Sequence, residues 1–169
     1  GNEDLGPPRE VDGAAQRQIE TLAAFDLHAD QTVIWQSMRS GAYVQAIDAL
    51  LQSGQAFECR CSRSDLTADA GVHRACVASN SARAPAIRLR APDQQITFDD
   101  AIQGRFTYSA RDQIGDFVLR RADGLFAYQL AVVVDDAAQQ ITHVVRGADL
   151  IDSTPRQILL QRACSLPTP

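Results

Sequence analysis

Residues 123–136 read DGLFAYQLAVVVDD, and residues 141–150 read ITHVVRGADL. The apolar run Phe126–Val134 is short enough to be a helix or a buried strand, and periodicity alone does not separate the two. Ala127, Leu130, Ala131 and Val134 share a face at helical spacing, so a helix is the preferred reading. Ile141–Val145 is β-branched and is followed by Gly147, which predicts a strand. Ser153 then stands at an N-cap position, with Pro155 in the first turn of a helix running to about Cys164.

Upstream, the pattern extends this picture. A helix is expected over roughly 14–25, with Ala15, Ile19 and Leu22 on one face. A second, over roughly 41–53, places Tyr43, Ile47, Leu50 and Leu51 together and stops at Gly54. Residues 58–85 hold three of the four cysteines and little periodicity. Short alternating runs follow at Ile87/Leu89 and Ile96/Phe98, and Phe117–Arg120 is another strand candidate. A helix pair, a cysteine-rich β insertion and a helix–strand–helix tail together predict an α/β core interrupted by an insertion. The opening residues GNEDLGPPREVDGA form a loop, because Pro7-Pro8 bars a helix and Gly13 supplies a turn.

Composition narrows the chemistry. A 45% hydrophobic fraction supports a globular core, and 22% charged residues with a net charge of −5 argue against disorder. The acidic balance argues against a generally basic nucleic-acid coat, leaving room for a local arginine patch. All 16 basic residues are arginine. A P-loop or a Schiff base, each of which needs a lysine, is therefore incomplete within these residues. No apolar run approaches the roughly 20 residues of a membrane-spanning helix, and no membrane partner is expected.

Three stretches carry candidate chemistry. Cys59-Arg60-Cys61 is followed after eleven residues by His73, and Cys76 closes the set. Four soft or borderline ligands at this spacing suit tetrahedral zinc in a structural site, since four protein ligands leave no open position. The alternative is three free thiols and a surface histidine. Cys164 falls on an apolar helix face and reads as a small core residue. In the second stretch, Arg146 at the end of a strand is placed to hold a carboxylate, and Tyr128 on a neighbouring element could bond the same ligand. The plain alternatives are a surface ion pair and a core aromatic. Asp135 and Asp136 could suggest a metal or an acid–base pair, although helix ends often carry such acids. The third stretch, Glu3-Asp4-Leu5-Gly6-Pro7-Pro8-Arg9-Glu10, is by itself an acidic loop with a proline stop.

Taken together, these stretches resemble the glutamyl-queuosine tRNA(Asp) synthetases, short paralogues of bacterial glutamyl-tRNA synthetase. The likeness runs through the Glu3–Glu10 loop, Trp35-Gln36-Ser37 and the C-x-C pair. It is closest over Asp123–Asp136, Arg146-Gly147-Ala148-Asp149-Leu150 and Ser153-Thr154-Pro155-Arg156-Gln157. The resemblance implies an α/β class I synthetase core of Rossmann type with a zinc-bearing insertion. Its expected organisation is core over 1–57, insertion over 58–111 and a return to the core over 112–169. Glu3 falls at the family's contact to the substrate α-amino group, and Tyr128 and Arg146 at its other glutamate contacts. Cys59, Cys61 and Cys76 fall at zinc ligands. His73 falls where the family often has a tyrosine, and imidazole is the better zinc ligand.

Some positions depart from the family. Gly1 and Asn2 stand in place of Arg-Ile, and Gly6 in place of Asp. Neither a HIGH-like ATP motif nor a lysine loop occurs, so the sequence reads as the middle of a longer enzyme. The function implied is ATP-dependent activation of glutamate, with magnesium, and its transfer to queuosine in the anticodon of tRNA(Asp), by a cytoplasmic monomer. Two other readings stand beside it: part of a discriminating glutamyl-tRNA synthetase, for which a long helical anticodon-binding region would speak, and a zinc-stabilised binding module without catalysis.

Overall fold

The structure is a computed structural model described over residues 13–80 and 82–169; Glu3 and its loop lie outside the described residues. The chain divides into two compact units, residues 1–42 and 43–169. In the first, α1 (Ala14–Ala24) follows Gly13 and buries none of its residues. A 3₁₀ turn at Gln36–Arg39 leads into α2 (Ser40–Gln52), which continues into the second unit.

α2 buries Tyr43, Ile47 and Leu50, the face expected from their helical spacing. Gly54 ends it in a left-handed conformation, with the Gln55 N–H returning to the Leu50 carbonyl at 2.9 Å. β1 (Ala56–Cys59), β2 (Ala86–Leu89) and β5 (Phe117–Arg120) form an antiparallel sheet in the order β1-β2-β5. β1 pairs Ala56 with Leu89 and Cys59 with Ala86, so its far end delivers Cys59 beside the cysteine-rich loop. β3 (Gln95–Asp100) and β4 (Gly104–Ser109) make a separate antiparallel hairpin. Phe98, Phe106 and Tyr108 stack along one side of it at centroid spacings of 5.5–6.5 Å. A five-residue π turn, Ala110–Ile114, joins the hairpin to β5.

α3 (Tyr128–Ala138) and α4 (Thr154–Ala163) pack on each other, α3 also against β5 and α4 against β3. Leu130, Ala131 and Val133 from α3 and Ile158, Leu159 and Leu160 from α4 are buried. Each fully buried leucine, isoleucine or valine contributes about 1.5–3 kcal/mol, so this helix pair anchors the segments on either side. Among the described residues, no helix is long and apolar enough to cross a membrane.

Two expectations are corrected. Ile141–Val145 forms no strand among the described residues. Gln140 adopts φ 56°, and the Ile141 N–H closes the end of α3 onto the Asp136 carbonyl at 2.9 Å. This uses the first donor of the segment for a helix cap, and Val145 is left 95% exposed. Ser153 sits at the N-cap position of α4 but does not cap it; its hydroxyl instead accepts a hydrogen bond from the Gln129 side chain at 3.0 Å.

Candidate functional site

Cys59, Cys61, His73 and Cys76 converge, their ligand atoms all within 4.8 Å of one another. β1 supplies Cys59, the turn after it supplies Cys61, and the loop ahead of the β2–β5 region supplies His73 and Cys76. Cys59 Sγ lies 3.2 Å from His73 Nε2 and 3.9 Å from Cys76 Sγ. A tetrahedral zinc with bonds of about 2.3 Å to sulfur and about 2.0 Å to nitrogen separates its ligands by roughly 3.5–3.8 Å. The four groups therefore fit that ion with small adjustments. Two amides already point at the sulfurs: Cys61 N–H donates to Cys59 Sγ at 3.4 Å, and Val77 N–H to Cys61 Sγ at 3.2 Å. Burial pushes the Cys61 thiol up, and burial with the neighbouring Cys59 and Cys61 sulfurs pushes Cys76 up to about 11. Crowded thiols of this kind repel as thiolates unless a cation sits among them.

A carboxylate ties the two ligand-bearing loops together. Asp65 accepts from the Ser62 N–H at 2.7 Å and the Ser62 hydroxyl at 2.6 Å, and also from the Ser79 N–H and hydroxyl. Those bonds, the Ser62 hydroxyl first, hold its carboxyl well below the usual carboxylate range. Gly115 forms the other wall of the site. Its φ of 67° and ψ of 177° lie in a region nearly closed to other residues. A methyl carbon there would lie 2.6 Å from Val72 Cγ1 and 2.7 Å from the His73 carbonyl oxygen. Gly115→Ala should therefore lower stability by at least about 1–3 kcal/mol. A lower urea midpoint at unchanged slope would show it; an unchanged midpoint would contradict the close approach.

Tyr128 opens α3 and is half-buried. Its neighbour Gln129 reaches Ser153, while the half-buried Arg146 donates to Gln157 Oε1 at 2.8 Å and to the Thr154 hydroxyl. The 128–129 segment and Arg146 thus meet the same first turn of α4. Gln129 Oε1 and Gln157 Nε2 are buried there without a hydrogen-bond partner. Asp135 is turned inward and accepts from the Tyr43 hydroxyl at 2.7 Å, both groups being buried. Burial raises the Asp136 carboxyl, followed by the charge of Asp135. The two acids face different surroundings, and among the described residues the grouping suited to a metal is the cysteine–histidine cluster. Cys164 is half-buried at the end of α4, and burial raises its thiol.

Residues 2–83 and 73–169 match the family described as class I tRNA synthetases (E and Q), catalytic domain. The chain belongs to this family of class I synthetases. It is similar to the glutamyl-Q tRNA(Asp) synthetase of Xanthomonas oryzae pv. oryzae, with 61% identity over 99% of this chain and 56% of that protein. It is also similar to the protein of the same name in Pseudomonas aeruginosa, at 49% identity over 99% of this chain and 58% of that one. The chain thus spans somewhat over half the length of these curated relatives. In fold it follows the glutamate tRNA ligase of Elizabethkingia meningosepticum, a structure solved in complex with its amino acid. The TM-score is 0.82 at 22% identity, over 98% of this chain and 40% of that one. The expected α/β class I synthetase core is therefore present. Among the described residues, all of its strand pairs are antiparallel.

Sequence reasoning missed the supports of these candidate residues. Asp65, Gly115 and Asp116 near the cysteines, and Thr154 and Gln157 beside Arg146, carry no motif that marks them individually. A faint signal existed only for Thr154 and Gln157, inside the Ser153–Gln157 stretch that carried part of the resemblance.

Proposed function

We propose that the full-length parent is an ATP-dependent ligase that activates glutamate and transfers it to queuosine in the anticodon of tRNA(Asp). The observation that carries this is the 61% identity over 99% of the chain to a protein named for that activity. The geometry supports the amino-acid half of the reaction. Arg146 is half-buried on polar partners at the first turn of α4 and has guanidinium capacity for a carboxylate. Tyr128 offers a hydroxyl, and Glu3 is assigned to the α-amino group from the family resemblance.

In the activation step, one oxygen of the glutamate α-carboxylate attacks the α-phosphorus of magnesium-bound ATP. The new oxygen–phosphorus bond replaces the bond to the leaving pyrophosphate. Catalysis in such a step comes from positioning and charge stabilisation, and no protein nucleophile is needed. Cys59, Cys61, His73 and Cys76 would hold a zinc ion, which would tie the insertion together in a structural role. The organisation assigned to the chain is core over 1–57, insertion over 58–111 and core over 112–169, in a monomeric cytoplasmic enzyme.

Glutamate-dependent ATP–pyrophosphate exchange by the full-length protein tests this directly. Arg146→Ala should raise the KM for glutamate by about 10- to 150-fold, the equivalent of losing a charge-assisted hydrogen bond of about 1.5–3 kcal/mol. The KM for ATP should move far less. Tyr128→Phe should cost less, because it deletes one neutral hydroxyl. Equal effects of Arg146→Ala on both substrates would contradict the assignment.

A further inference from the structure

We propose that Asp116 is a positioning residue for the metal centre: it fixes His73 for ligation through Nε2 and clamps the cysteine-bearing loop to the strand leading toward Tyr128. The proposal rests on the zinc reading of the four-ligand cluster and adds to it a supporting residue 43 positions away in sequence.

Both carboxylate oxygens of Asp116 are engaged. Oδ2 lies 2.8 Å from His73 Nδ1, and Oδ1 accepts the Ala91 N–H at 2.8 Å. A carboxylate oxygen at Nδ1 is matched by an Nδ1–H donor, which in the neutral ring leaves Nε2 as the nitrogen with a lone pair to offer a metal. Nε2 is the atom 3.2 Å from Cys59 Sγ. The ring is thus held in the tautomer and orientation that a zinc ligand needs. The main chain repeats the clamp: the Asp116 N–H donates to the His73 carbonyl at 2.8 Å, and Arg88 donates to the Asp116 carbonyl at 3.0 Å. The His73 side chain is 1% exposed and that of Asp116 14%, so water is poorly placed to replace the carboxylate. The close approach of Gly115 to His73 is what lets Asp116 reach it.

The clamp also reaches the substrate half of the chain. Asp116 directly precedes β5, and the Ala127 N–H bonds the Leu119 carbonyl of that strand at 2.8 Å, one residue before Tyr128. The metal centre and the Tyr128 segment therefore share one strand as a frame.

The test uses the 169-residue chain loaded with zinc, its metal content, competition with a chromophoric chelator, and long-range proton–nitrogen NMR of the His73 ring. The spectrum should show a metal-bound Nε2 and a protonated Nδ1. Asp116→Ala should weaken zinc binding by 10- to 100-fold, the usual effect of losing such a support. Asp116→Asn should fall between, because an amide can accept from only one of the two donors that face it. The ring signature is read on the unaltered chain, so it stands even if a variant folds poorly. Ligation through Nδ1, or an Asp116→Ala variant that holds zinc less than about tenfold more weakly, overturns this inference and leaves the metal reading intact. A wild-type chain that takes up no zinc overturns both.

Discussion

Residues 1–169, incubated with glutamate, ATP and magnesium, should give no measurable ATP–pyrophosphate exchange, whereas the full-length parent should give a robust signal. The triphosphate develops charge at its transferred centre that preorganised donors must meet. By the class I resemblance, those donors come from a histidine motif and a lysine loop. These residues contain no lysine, and the three histidines, His28, His73 and His143, lie in no such motif. His73 is moreover committed to the cysteine cluster. Removing one donor of this kind costs about 10²–10³-fold in rate, and two whole elements are at issue. Exchange at a similar rate from both proteins would show that the arginines here, or some other group, handle the phosphates.

Cys61→Ser should abolish stoichiometric zinc uptake and loosen the segment around the cluster. The chain purified without added metal should carry about one zinc equivalent, and the variant far less. Structural zinc contributes folding free energy outright, with apparent binding of about 10–16 kcal/mol in small zinc-dependent peptides. Here the sheet and the α3–α4 pair share the load, so local rather than global unfolding is expected. Hydrogen exchange should speed up across residues 58–80 while Leu130, Val133 and Leu159 stay protected. A well-folded wild-type chain without metal, with uniform exchange in the variant, would contradict the assignment.

What the sequence revealed depended on how locally each feature is determined. α2 was legible because Tyr43, Ile47 and Leu50 repeat at helical spacing and Gly54 ends the helix with a positive φ. The ambiguous run at 126–134 resolves as helix from Tyr128 onward, where Leu130, Ala131 and Val133 find α4 to pack against. Ile141–Val145 misled because β-branched residues favour a strand only where a neighbouring strand and a burying face exist. Val144 and Val145 are instead exposed. β4 alternates Phe106 and Tyr108 with Arg105 and Thr107, a strand signal that was present in the sequence but went unread.

The cysteine cluster was legible for a different reason. Metal-ligating residue types are few, and their spacing carries information without any alignment of elements. Its supports were not. Asp116 reaches His73 only because the π turn and Gly115 bend the chain back toward it, and such long-range placement leaves no periodic trace. The partners of Arg146 were hidden in the same way, since Thr154 and Gln157 are brought to it by the packing of α4.

On the proposed function, this chain belongs to an enzyme that glutamylates tRNA(Asp) at queuosine. The direct measurement is transfer of radiolabelled glutamate by the full-length protein to three purified RNAs: tRNA(Asp) bearing queuosine, tRNA(Asp) lacking it, and tRNA(Glu). Label in the first alone is the predicted result; charging of tRNA(Glu) without label in queuosine-bearing tRNA(Asp) would contradict it.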